Sequence, residues 1–151
     1  VHDAVSIVQD SRGRIVAGPL GGFASFAVFS ATGELLKVIG RSGAGPAEFR
    51  MIGAIALTPH DSILVMDQIL HRLSIFSPTL EFVRSVPMPQ LRRMIALPGG
   101  TIVAVADLRS GSSVGFALHE FDLNDGNRIR SFGEDVRLSE TPPMHYQESK
   151  R

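Results

Sequence analysis

Along the chain, apolar residues come in short runs rich in Val, Ile, Leu and Phe, each bounded by Gly, Pro, Asp or Ser. Helical periodicity is nearly absent, and runs of this kind between turn residues are the mark of β-strands. The runs fall into three copies of one succession. The first copy predicts strands at 4–8, 14–17, 25–30 and 34–39, with turns at Asp10-Ser11-Arg12-Gly13 and Ala31-Thr32-Gly33. The second predicts strands at 54–58, 62–67, 72–77 and 81–86, with turns at Pro59-His60-Asp61 and Pro78-Thr79. The third predicts strands at 94–97, 101–107, 116–122 and 128–132, with turns at Pro98-Gly99-Gly100 and Asn124-Asp125-Gly126.

Phe29, Phe76 and Phe121 end the third strand of each copy, 47 and then 45 residues apart, and Gly40 and Gly133 close the outer strands of the first and third. Each copy therefore reads as a four-stranded antiparallel meander, and this period is that of a β-propeller blade. The runs Ile63-Leu64-Val65-Met66 and Ile102-Val103-Ala104-Val105-Ala106 are apolar on both faces. A single antiparallel sheet would alternate, with one face in water, whereas stacked blades bury both faces of their inner strands. A β-sandwich or jelly roll is the alternative, and it leaves the repeat unexplained. The expected fold is all-β, with blade 1 at 1–40, an inter-blade connector at 41–53, blade 2 at 54–89, blade 3 at 90–133 and a tail at 134–151.

Composition narrows the function classes. Apolar residues make up 44% of the 151, enough to bury a sizeable core. Fifteen basic and fifteen acidic residues cancel, so no net basic face points to nucleic acid or an anionic membrane. With no cysteine, disulfides, thiol catalysis and Cys-based zinc sites are excluded. No apolar run approaches the roughly eighteen residues of a membrane span. The chain opens Val1-His2-Asp3, without Met or a leader, and reads as a mature or excised segment, compatible with secretion or the periplasm once a signal has been removed.

The second copy carries a more specific motif. Gly40-Arg41-Ser42-Gly43-Ala44-Gly45-Pro46-Ala47-Glu48-Phe49 is a Gly-rich run ending in Gly-Pro-x-Glu-Phe; a strand ending in Asp67 follows, then His71-Arg72-Leu73-Ser74-Ile75-Phe76. This resembles the inter-blade connector and blade of the NHL-type six-bladed propellers, in which Asn-Arg-Ile-x-x-Phe is usual. Here His71 replaces the Asn and Leu73 the Ile. The first copy has Pro19 where the Asp would fall, and the third has no Arg before its third strand. Gly43, Gly45, Pro46, Glu48, Phe49 and Asp67 are the expected structural set: glycines for the crossover, Pro46 to stiffen it, Phe49 as a plug between blades. Asp67 is expected to accept backbone N–H groups and to pair with the Arg72 guanidinium.

The resemblance implies a six-bladed ring, of which three blades are half. The terminal blades would each expose an apolar face, and a homodimer closing the ring is expected. Because Gly133-Glu134-Asp135 stands where Gly40-Arg41-Ser42 does, the tail should start like a connector to a partner blade. A disordered tail or the stump of a longer chain is the alternative.

Candidate chemistry is sparse. His2, His60, His71, His119 and His145 share no ligand spacing. There is no Gly-x-Ser-x-Gly elbow, phosphate loop or catalytic carboxylate pair, and Asn124-Asp125-Gly126-Asn127 is a hairpin turn rather than a calcium loop. In a propeller, the connectors and the loops between second and third strands share one face. That would gather Arg41, Arg50, His71, Arg72, Arg92 and Arg109 at an electropositive channel mouth suited to an anionic small molecule, glycan or peptide. The competing reading is a surface neutralised by Glu48, Asp67 and Asp107. The expected function is a non-catalytic binding module without metal or cofactor. One alternative is a metal-dependent propeller enzyme of lyase or lactone hydrolase type, although the innermost strands offer few ligands for such a metal. Another is a piece of a longer propeller without separate activity.

Overall fold

Short polar side chains that fold back on the backbone set the hairpin turns. Asp10 accepts the N–H groups of Arg12 at 3.0 Å and Arg14 at 2.8 Å. Ser30 accepts from Thr32 and Glu34, Thr58 from Ser62, and Ser77 from Glu81. Gly13, Gly33, Asp61 and Leu80 supply the positive φ that these turns need.

The computed structural model describes residues 6–106 and 117–133. It contains three four-stranded antiparallel sheets, each with its strands in sequence order. The first holds β1 (Ser6–Gln9), β2 (Ile15–Gly18), β3 (Phe26–Phe29) and β4 (Leu35–Ile39). A two-stranded parallel pair, β5 (Arg41–Ser42) and β6 (Glu48–Phe49), lies in the connector. The second sheet holds β7 (Ile52–Leu57), β8 (Ile63–Asp67), β9 (Arg72–Phe76) and β10 (Phe82–Pro87). The third holds β11 (Leu91–Leu97), β12 (Thr101–Ala106), β13 (Leu118–Asp122) and β14 (Arg128–Phe132). These are three propeller blades in an open arc with no closed ring, and β7 lies between β1 and β11 on its inner side.

The core forms two layers between blades. Val16, Phe26 and Val28 of the first blade meet Ile55, Ile63, Val65 and Phe76 of the second. The opposite side of the second, with Leu64, Met66, Leu73 and Ile75, meets Leu91, Ile102, Ala104 and Phe121 of the third. Every residue of β8 is buried, which is why its sequence does not alternate. In β12, Ile102 and Ala104 are buried while Val103 and Val105 are only half-buried, because no described blade packs on that face.

Three local features depart from the sequence expectation. Strand β7 begins at Ile52 rather than 54, across a bulge at Gly53. Strand β11 begins at Leu91 rather than 94, because Leu91 pairs with Ala106 across a bulge that takes up one residue before Arg93. Arg92 and Arg93 therefore belong to an inner strand. The pair β5–β6 is too short to leave a pattern of its own. The expected connector at 134–151, and Asp107, Arg109 and Phe116, lie outside the described residues.

Phe49 links the connector to the first core layer. It is fully buried, with ring centroids 6.3 Å from both Phe26 and Phe76. Phe49→Ala is expected to cost about 3–5 kcal/mol in urea unfolding. A loss below about 1 kcal/mol would show that the connector does not hold the first two blades together.

Candidate functional site

The connector crosses from the outer strand of one blade to the inner strand of the next. Gly40 turns the chain at φ 99; a Cβ there would lie 2.5 Å from the Ala24 carbonyl oxygen and 2.9 Å from the Phe49 ring. At Gly43 a Cβ would run into the Glu48 carboxylate. Pro46 and Ala47, the latter at φ 55, are the central residues of a turn closed by the Glu48 N–H on the Gly45 carbonyl at 3.1 Å. The Glu48 carboxylate accepts the Gly45 N–H at 2.8 Å and the Arg41 Nε at 2.8 Å. These two donors, the Gly45 N–H first, hold its pKa below the ordinary glutamate value.

Two charged side chains from the second blade fasten this connector. Asp67, wholly buried, accepts the N–H groups of Arg50 at 2.7 Å, Met51 at 3.4 Å, Ile69 at 3.0 Å and Leu70 at 2.9 Å. Arg72 donates from one terminal nitrogen to the Ala44 carbonyl at 2.9 Å. The other terminal nitrogen donates to the carbonyls of Gly45 at 2.7 Å and Glu48 at 2.9 Å. The expected Asp67–Arg72 ion pair does not form. The carboxylate is occupied by four N–H groups, and the guanidinium lies where the connector offers only carbonyls. His71, exposed and at φ 50, accepts the Met88 N–H on its carbonyl at 3.0 Å. That left-handed position suits Asn, the residue usual in the motif it resembles.

The predicted arginine group divides in two. Arg41 and Arg72 lie on the connector, with Arg50 held there through its backbone N–H. Arg92 lies on the inner side of the arc, where it lines a cavity of about 560 Å³ together with Arg93, Gly53, Ile7, Ile95 and Val103. Gly53 occupies in the bulge of β7 the place that Arg92 occupies in that of β11. Gln68 reaches across to donate to the Leu91 carbonyl, and its side-chain oxygen is buried without a partner among the described residues. Sequence reasoning passed over Arg93, Gly53 and Gln68 as site residues. Two adjacent arginines were the only signal, and the bulge that turns both to the cavity has no composition of its own.

Among the described residues, no three His, Cys, Asp or Glu side chains gather as a metal would require. His119 is buried within β13, its Nδ1 2.7 Å from the Ser131 hydroxyl. No helix among the described residues is long and apolar enough to cross a membrane.

No protein-family model matches the chain, and no curated protein matches it in sequence. Solved structures do match in shape. A candidate exported protein of Bacteroides fragilis aligns with TM-score 0.69 and 16% identity over 85% of this chain and 37% of its own. A DUF4221 family member from Bacteroides vulgatus aligns with TM-score 0.60 and 12% identity over 89% of this chain and 44% of its own. The WD40 repeats of RRP9 align with TM-score 0.60 and 12% identity over 85% and 38%. The chain thus spans less than half the length of each. The likeness establishes a β-propeller-like, all-β fold related to the WD40 and DUF4221 structures, and it does not single out the NHL-type propellers.

The Glu48 contacts set a pH dependence. A carboxyl whose pKa is lowered on folding stabilises above its unfolded value, and the contribution is lost as pH falls through the folded one. In an amide NMR titration, the Gly45 resonance is expected to move with a midpoint below the ordinary glutamate value and to stop moving in Glu48→Gln. A midpoint at or above that value would contradict the clasp.

Proposed function

We propose that the chain is a non-catalytic binding module of propeller type, which takes an anionic group of a small molecule, glycan or peptide at its inner cavity. The observation that carries this reading is the Arg92–Arg93 bulge: two exposed guanidinium-bearing residues at the edge of a cavity whose lining also includes Val8, Ala54, Met94 and Ile95. Planar guanidinium groups suit carboxylate and phosphate oxygens, and apolar walls strengthen such contacts by excluding water. The terminal nitrogens of Arg72 already serve the connector, so its proposed part is to hold the mouth in shape. Arg41, Arg50 and His71 are assigned to the rim of the same mouth; Arg109 lies outside the described residues. The Gly-Pro-x-Glu-Phe connector supports an NHL-like reading of the second blade. Two chains pairing into one six-bladed ring would enclose the cavity on all sides.

The test uses benzoate, an aromatic carboxylate, added to the isotopically labelled protein. The amides of Gly53, Ala54, Arg93 and Ile95 are expected to shift together on titration. The double variant Arg92→Ser, Arg93→Ser should weaken binding at least about tenfold. No shift at these amides, or an unchanged affinity in the variant, would contradict the proposal.

A further inference from the structure

The three blades repeat a cationic contact along their outer strands. Lys37, Arg84 and Arg130 occupy equivalent places in β4, β10 and β14, 47 and 46 residues apart. Lys37 reaches from the first blade to the second, where its Nζ donates to the Leu80 carbonyl at 3.2 Å. Arg84 reaches from the second to the third, its terminal nitrogens donating to the carbonyls of Leu123 at 2.8 Å and Asn124 at 3.4 Å. In both cases a cation on one blade caps carbonyls in the β-turn between third and fourth strands of the following blade.

Arg130 is the third member of this series, and among the described residues no blade packs against it. Its Nε is held by Glu120 at 2.5 Å, and its guanidinium carbon lies 5.3 Å from the centre of the Phe132 ring. Its terminal nitrogens have no hydrogen-bond partner among the described residues, and its side chain is 65% exposed. Glu120 stands where Ile75 stands in the second blade, and its other oxygen accepts the Thr101 hydroxyl at 2.8 Å. The outward face of the third blade therefore carries a fixed ion pair among half-buried Val103, Val105 and Leu118. On the equivalent face of the second blade, the strands inside Arg84 are apolar, with Leu64, Met66, Leu73 and Ile75 buried.

At the other end of the arc, the first blade presents a matching face. Ile7 is 69% exposed, whereas its equivalent in the covered second blade, Ile55, is 5% exposed. Val38 and Leu36 continue this apolar face along the outer strand. The turn at 30–34 repeats the receiving turn of the second blade, with Gly33 at φ 91 in the place of Leu80 at φ 70. The chain thus carries both halves of the contact, at opposite ends.

We infer that Arg130 anchors a docking face on the third blade that receives the first blade of a second copy of this chain. Its terminal nitrogens cap the carbonyl of Gly33 of the partner subunit, as Lys37 caps that of Leu80, the residue in the same place of the second blade's turn. Glu120 keeps the guanidinium aimed without using the nitrogens that bind. The inference rests on the ring-closure reading above and adds the residues that make the closure specific.

Light scattering after size exclusion over a dilution series tests it, with circular dichroism to confirm that each variant is folded. The natural sequence should run at the mass of two chains, and Arg130→Met should raise the dimer dissociation constant at least about tenfold. Arg128→Met, a neighbouring exposed arginine on the same strand, should leave it unchanged. A natural chain that runs as one copy at every concentration overturns ring closure and this inference together. A dimer that Arg130→Met leaves unmoved, or that Arg128→Met weakens equally, overturns this inference alone.

Discussion

A propeller chain must leave the outer strand of one blade and enter the inner strand of the next, and along that crossing the backbone has only the two-residue ladder of β5 and β6. Its N–H and carbonyl groups still need partners. Here two side chains of the second blade supply them: Asp67 takes the N–H groups of Arg50 and Met51, together with two from its own loop, and Arg72 donates to three carbonyls. Because both partners are charged, these bonds are stronger than backbone pairs, and a buried group left without one is costly. With the crossing fixed, Phe49 sits between Phe26 and Phe76, and the first core layer closes around it. The arrangement of the first two blades depends on that clamp.

The joint between the second and third blades is built differently. Its connector is short, and the work passes to Gln68, which bonds the Leu91 carbonyl, and to the Met88 N–H on His71. The short crossing leads directly into the bulge that holds Arg92 and Arg93. The bulges of β7 and β11 both face the inner cavity.

The architecture was legible because its causes act at every repeat. The phenylalanine spacing and the uninterrupted apolar run at 63–66 both follow from blades stacked face to face. The candidate site was less legible because its causes are single events. Asp67 and Arg72 were visible as a charged couple, yet their partners are backbone groups, which sequence does not distinguish. Arg92 and Arg93 look like connector residues until a bulge places them in a strand. Glu120 reads as an ordinary strand carboxylate, and gains meaning only when the structure sets it opposite Arg130 on a face that no described blade covers.

The most direct test of the clamp is hydrogen exchange at the four amides that Asp67 binds, those of Arg50, Met51, Ile69 and Leu70. All lie in loops, and the Ile69 side chain is 55% exposed. The account predicts that they exchange as slowly as the amides of the buried strand β8, opening only when the fold opens. Exchange at the rate of an ordinary exposed loop, with β8 still protected, would contradict it.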